Sequence, residues 1–239
     1  MCVRYTLHEA DAALSAISRA LGAKLAKPDW VGARYNVAIA SRMPVVAVSG
    51  AGPEVRGMVW GLAPPRGRRE ASGRLVANAR AETAATLNLF RRGVERRRCL
   101  VPANGFYEWR TEAGGKQPHL FLLRNGEPFA FAGIWEAAGE GRPETYCILT
   151  TAPNEVVAPV HNRMPVILTG SAMPRWLGSE PLEESERQAL VQPLASELMT
   201  VIRVSRFVNS TRNEGPECHS APEVPPQLKL GNLLDFGDT

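Results

Sequence analysis

Cys2 follows Met1 directly in the opening MCVRY, and that placement has chemical consequences. While Met1 is attached, residue 2 offers an ordinary small thiol. Once Met1 is removed, an amine and a thiol stand on adjacent carbons, forming a 1,2-aminothiol. Three further segments hold clustered polar residues in apolar, strand-like surroundings. LVANARAET contains Asn78 and Arg80, CLVPANGFYEW sets Glu108 between Tyr107 and Trp109, and APVHNRMPVIL contains His161 and Arg163. Turns at strand ends are where a scaffold usually presents reactive groups. Each residue also has a plainer reading: Cys2 as packing, Glu108 alternating outward from a half-buried strand, His161 as a hydrogen-bonded core histidine, Asn78 as a turn residue. Cys99 and Cys147, each beside aliphatics, read as packing.

The elements that must position these groups are mostly short and extended. Residues 6–25 read as a helix, with Thr6 and Glu9 at capping-box spacing and Leu14, Ile17, Leu21 and Leu25 on one face. Strand-like runs follow at 44–48, 55–62, 119–123, 129–135, 145–151, 165–168 and 199–205, punctuated by Gly, Pro and Asn. Helices are expected at 81–93, ending at Gly93, and at 181–195. Strands and long helices do not alternate, which argues against βαβ winding. The expected fold is α+β, with curved, mostly antiparallel sheets forming a barrel-like core with flanking helices. The expected organisation is one domain over 1–222 and a Pro-rich, flexible tail over 223–239.

The 239 residues suffice for a sizeable core, and 44% hydrophobic with 22% charged residues is ordinary for a soluble protein. No membrane span or signal peptide is visible, so a cytoplasmic location is expected, nucleoid-associated in a bacterium. The four cysteines form no C-x-x-C pair and are expected to be free thiols. The net charge of +4 permits a nucleic-acid partner without demanding one. Arginine dominates two clusters: Arg66, Arg68 and Arg69 in PPRGRRE, and Arg91, Arg92, Arg96, Arg97 and Arg98 in FRRGVERRR. Planar guanidinium groups suit phosphate, although a solvated, salt-bridged surface explains them equally well.

Taken in order, MCVRY, ARYNVA, MVWGL, NARAET, RCLVPANGFYEW, ILTTAPN, HNRMPVIL and VNSTRNEGPE resemble the SOS response-associated peptidase (SRAP) family, over nearly the whole chain except the tail. This chain departs from the usual family pattern in having Val3 where Gly follows the cysteine, Ile39 where Pro follows YNVA, and Asn162 where Asp is more common. The resemblance implies a protein that crosslinks covalently to abasic sites in single-stranded DNA. It implies Cys2, Asn78, Glu108 and His161 as catalytic residues. Arg4, Trp60, Arg80, Thr151 and Arg163 are implied in DNA binding, with no metal and no cofactor.

The residues make physical sense of that chemistry. An abasic deoxyribose opens to a small amount of aldehyde, which a Cys2 amine would condense with and the adjacent thiol would trap as a thiazolidine. Unperturbed values of ~8 for an α-amine and ~8.5 for a thiol leave both usable near neutrality. Glu108 and His161 are the candidate proton carriers, Asn78 would hold the amine or sugar, and Arg4, Arg80 and Arg163 would clamp phosphate. Trp60 or a neighbouring apolar residue would stack on the base beside the gap. Met1 is removed either by a housekeeping aminopeptidase or autocatalytically, as the family name suggests. Two other readings stay open from the residues: a thiol hydrolase or peptidase using Cys2 with His161 and Glu108, and a non-covalent single-strand binder. A monomer is expected, and QLKLGNLLDF in the tail weakly suggests contact with the replication machinery.

Overall fold

The computed structural model describes residues 3–63, 75–139, 141–178 and 180–222. Cys2, Arg66, Arg68, Arg69 and the tail from 223 lie outside these residues. The chain opens with β1 (Arg4–Leu7), α1 (Ala10–Leu21), β2 (Arg34–Ala38), β3 (Arg42–Ser49) and β4 (Gly52–Trp60). Next come β5 (Asn78–Arg80), α2 (Ala81–Ala84), α3 (Asn88–Arg96), β6 (Arg98–Ala103), β7 (Gly105–Glu112) and β8 (Gly115–Leu123). The remainder is β9 (Phe129–Glu136), β10 (Thr145–Thr151), β11 (Met164–Pro165), β12 (Ile167–Leu168), α4 (Ala172–Leu177), α5 (Glu184–Leu190) and β13 (Met199–Arg203), followed by short 3-10 turns at Arg206–Asn209 and Pro216–His219.

Five strands close a ring. β10 pairs β4, β4 pairs β3, β3 pairs β6, β6 pairs β9, and β9 returns to β10. Only the β4–β10 seam of that ring is parallel, and β5 adds a second parallel partner for β10. Against the ring stands a five-stranded sheet in the order β13-β8-β7-β1-β2. The expected barrel-like core of mostly antiparallel strands with flanking helices is therefore the architecture observed.

Alternation along the ring strands builds two apolar layers. Val45, Val101 and Phe131 face inward with Tyr5, Trp60, Phe106, Phe121 and Tyr146, joining the ring to the five-stranded sheet. Their neighbours Val46, Leu100 and Ala132 face outward beneath Leu14 and Ile17 of α1 and Trp176 of α4. The Tyr5 and Tyr146 hydroxyls meet at 2.9 Å inside the first layer, so neither buried oxygen is orphaned.

Three helix expectations are corrected. RYTL is a strand, because Arg4–Leu7 pairs with both β2 and β7. The Thr6–Glu9 capping box does not form; Glu9 starts α1 without a side-chain cap, and its backbone N–H is taken by Asn104 Oδ1 at 3.0 Å. The helix stops at Gly22, which caps it in the left-handed conformation (φ 61°). The 81–93 helix is broken into α2 and α3 and runs past Gly93, whose missing side chain admits Ile134: a Cβ there would lie 3.0 Å from it. The 181–195 helix shortens to α5. RCLVPANGFYEW, in which Glu108 is expected after a Pro/Gly turn, is the crossover between the two layers: β6 belongs to the ring and β7 to the open sheet. Gly105 begins β7 because a Cβ would fall 2.7 Å from the Phe121 carbonyl.

Candidate active site

Glu108 lies on β7 and is only 3% exposed. The β1–β7 ladder pairs Tyr5 with Phe106 and Thr6 with Gly105, so its continuation sets Val3 across from Glu108. The carboxyl therefore sits beside the start of β1. Burial is the main force on it and pushes its pKa up to about 7. A carboxyl at that value is divided between acid and base near neutrality, which is the condition for moving protons in both directions.

His161 is brought to Glu108 by a compact turn. Asn154 starts it by accepting the Val157 N–H at 3.0 Å, and the His161 N–H closes it on the Val157 carbonyl at 3.0 Å. Asn154 is itself tied to the Leu194 carbonyl. His161 Nδ1 then lies 4.0 Å from Glu108 Oε1, too far for a direct hydrogen bond and close enough for one bridging group. Burial lowers the His161 pKa, so the ring is neutral at pH 7. The Arg163 N–H reaches Nδ1 at 3.0 Å and the Arg163 carbonyl lies 3.1 Å from the same nitrogen, so the Arg163 backbone holds the ring in place.

Arg163 spans the gap to the ring sheet. Its guanidinium donates to both carboxylate oxygens of Glu82 at 2.7 and 2.8 Å, and to the Thr150 carbonyl at 2.6 Å. Glu82 is in the first turn of α2, which directly follows β5, and the pairing with Arg163 holds its carboxyl below the usual range. Asn78 and Arg80 are on β5, opposite Ile148 and Thr150 of β10. Asn78 is half-buried and Arg80 is exposed. The structure thus joins Glu108, His161 and Arg163 in one contact chain and sets the Asn78 strand beside it through Thr150 and Glu82.

Three of the sequence-predicted DNA contacts are buried. Trp60 is fully buried and donates its indole N–H to the Ala77 carbonyl at 2.9 Å, against Tyr5 and Tyr146. No base can reach its face. Arg4 is buried, with its guanidinium on Asn36 Oδ1 (2.7 Å) and the Val208 carbonyl (3.0 Å), so it is committed inside the protein. Thr151 is 6% exposed within β10, opposite Met164, and offers little surface. The basic cluster on α3 also divides. Arg91, Arg92 and Arg96 are exposed, whereas Arg98 is buried among the Trp176, Val94 and Glu180 carbonyls.

Glu82 was missed as a member of the site, although NARAET contains it. Its signal was the charge two residues after Arg80, legible only once Arg163 is known to stand opposite. Val3 and Ile39, two departures from the family pattern, lie at the ends of neighbouring strands. Continuing the Arg4–Ala38 pairing sets them across from each other, and both are exposed, forming an apolar step beside Glu108. Among the described residues, no group of three or more His, Cys, Asp or Glu could hold a metal ion.

The profile of the family described as SOS response associated peptidase (SRAP) matches residues 1–211. The chain belongs to the SRAP family. Among its relatives, the abasic site processing protein YoqW of Bacillus subtilis is 38% identical over 187 residues, covering 77% of this chain and 84% of that one. The abasic site processing protein HMCES of Gallus gallus is 32% identical over 72% of this chain and 59% of its own length. A crystal structure of a Bacteroides thetaiotaomicron protein shares the fold with a TM-score of 0.75 and 27% identity, covering 92% of this chain and 99% of that one. In this SRAP chain the motifs fall into two groups. Glu108 lies beside the start of β1 with His161 and Arg163 linked to it, while ARYNVA and VNSTRNEGPE hold each other: Asn36 Nδ2 donates to the Ser210 and Asn213 carbonyls at 2.9 and 2.8 Å, and the Arg34 guanidinium meets Glu214.

Proposed function

We propose that this SRAP chain processes abasic sites in single-stranded DNA by covalent capture, with Cys2 as the nucleophile after loss of Met1. The observation that carries the reading is a buried carboxyl poised near neutrality, 4.0 Å from a neutral histidine, beside the strand that leads back to residue 2. The names of the relatives supply the lesion.

In this reading the Cys2 amine adds to the open aldehyde, giving a carbinolamine. Protonated Glu108 delivers a proton to the departing hydroxyl, which leaves as water, and the N–H proton of the resulting iminium returns to the Glu108 carboxylate to leave an imine. The thiol then adds across the C=N bond, sulfur to carbon and its proton to nitrogen, closing the five-membered ring. One water is lost overall. Tethering both nucleophiles makes the second addition effectively unimolecular. Neutral His161 serves the ring opening that exposes the aldehyde. Asn78 orients the sugar or amine, and exposed Arg80 with Arg163 contacts the flanking phosphates. The apolar step of Val3 and Ile39 takes the stacking role that buried Trp60 cannot fill.

The test is a denaturing gel of Met1-free protein with single-stranded DNA carrying one abasic site. A heat-stable shifted band is expected, absent with Cys2→Ala and with undamaged DNA. No band from fully processed protein would sink the proposal, and cleavage of an unrelated amide by that protein would favour a thiol hydrolase instead.

A further inference from the structure

Three tryptophans in this protein carry a guanidinium over the ring: Trp109 lies under the buried Arg4 at 5.7 Å, and the electrostatics of the other two differ. Trp135 is half-buried and lies under Arg56 and Arg97, at 4.7 and 5.5 Å from its ring centre. Both arginines are neutralised, Arg56 by Glu144 and Arg97 by Glu136. That stack is internal bracing. Trp30 is 43% exposed, the one exposed tryptophan of the five, and Arg42 lies 4.7 Å over its ring. Among the described residues, no carboxylate lies within ion-pairing distance of Arg42. The result is an aromatic face with uncompensated positive charge at the surface.

The pair is also fixed in place. Arg42 starts β3 opposite Val59, and its guanidinium lies across the backbone of Gly57, where a Cβ would come within 2.7 Å of Nε. Glycine at 57 lets the cation lie flat, with the Trp30 ring on it. The connection from β2 is a tight turn in which Ala40 has φ 71° and the Ser41 N–H returns to the Ala38 carbonyl. Starting from Glu108, the path crosses to Val3 on the neighbouring strand, then to Ile39, and reaches Arg42 three residues later. Each strand step is about 4.8 Å. Arg42, with Trp30 against it, therefore follows the Val3–Ile39 step within one turn of the chain.

We propose that Trp30 and Arg42 form a second contact for single-stranded DNA, with a nucleobase stacked on the indole and a phosphate drawn to the guanidinium. An aromatic platform beside a cation is what sequence-independent single-strand binding requires. The proposal rests on the reading of the chain as a single-strand DNA protein, but it is independent of Cys2 and of the covalent step. It predicts that capture of the lesion improves once the DNA is long enough, on one side, to reach Trp30.

The experiment has two readouts. Unmodified oligothymidylate at low salt is expected to quench the tryptophan emission of the wild type. Trp30→Phe removes that quench, and Trp30→Ala lowers affinity by about tenfold. Arg42→Gln flattens the salt dependence by close to one phosphate contact. In parallel, abasic oligonucleotides lengthened one nucleotide at a time on either side show a gain in crosslinking at one flank length. Trp30→Ala abolishes this gain while leaving the yield on the shortest oligonucleotide unchanged. Unaltered thermal melting of the variants excludes misfolding. Quenching that persists in Trp30→Phe, or wild-type affinity in both Trp30→Ala and Arg42→Gln, overturns the proposal. Failure to crosslink at all would remove the covalent reading and leave the fluorescence result to decide this one.

Discussion

At the scale of single residues, the site depends on where burial moves proton affinities. Glu108 is held up to about 7, while an unperturbed α-amine has a pKa of ~8. In the proposed chemistry capture needs the carboxyl protonated and the amine neutral, so the rate should rise with pH up to about 7, where Glu108 begins to ionise, and fall above ~8, where the amine is already neutral. The expected optimum lies between the two. Glu108→Gln should slow crosslinking by roughly 10²–10⁴-fold and remove the descending limb. A pH–rate series on Met1-free protein checks this, and an unchanged limb would assign it elsewhere. Trp60 gives the opposite kind of prediction. Its ring is packed on Tyr5 and its N–H is bonded to Ala77. Trp60→Ala should therefore cost about 3–5 kcal/mol in denaturant unfolding. Trp60→Phe should fold and bind single-stranded DNA as the wild type does. The sequence made Glu108 legible and Trp60 misleading for the same reason. Both alternate with apolar neighbours in a strand, and alternation alone does not say which face looks inward.

At the scale of elements, β1 is held by a clamp. Asn36 on β2 accepts from the Arg4 guanidinium through Oδ1 and donates through Nδ2 to carbonyls of the 208–213 segment. Glu214 accepts the Tyr35 and Asn36 N–H groups. Asn36→Ala leaves Arg4 and two carbonyls short of partners, so it should destabilise the protein by about 1–3 kcal/mol. Hydrogen exchange should show the loss first in β1 and β2. Equal loss across the whole ring would contradict a local clamp. None of this could be read from the sequence, because the partners of Arg4 are 32 and 204 residues away. An arginine beside a candidate nucleophile looks like a phosphate contact until those partners are seen. The β6–β7 crossover was hidden differently. Pro102, Asn104 and Gly105 carry turn chemistry, yet Pro102 sits in the ladder opposite Ala130 and Gly105 opposite Leu122. The long apolar runs that became β3, β8, β9 and β10 were plain from composition.

At the scale of the whole molecule, pH acts on stability from two sides. The His8 and His219 rings meet edge to face at 4.9 Å, with Tyr35 stacked on His8 and Tyr107 beside His219. Burial, with His8 adding to it, lowers the His219 pKa to about 4. The native state thus binds fewer protons than the unfolded chain between pH 6.5 and 4, and stability falls as pH drops through that window. Glu108 has the reverse sign. Its raised pKa makes the native state bind more protons between 4.5 and 7, so stability falls as pH rises through that range. Melting temperatures from pH 4.5 to 8 should show His219→Phe weakening the acid loss and Glu108→Gln weakening the loss towards neutrality. Parallel curves for wild type and both variants would refute these assignments.

The bond between Arg4 and the Val208 carbonyl joins positions 204 residues apart. At about 5–20 residues per second, a ribosome needs roughly 10–40 s to make the second after the first. Throughout that interval β1 lacks its clamp, and for much of it lacks β7 as well. On the proposed chemistry, a newly made chain can lose Met1 while its front end is still slack and accessible to processing. The acid beside Val3 becomes useful only after the last segment docks. Where an aminopeptidase removes Met1, the proposed chemistry has the protein trimmed before it is armed, and stray aldehydes met during synthesis face an aminothiol without its catalyst.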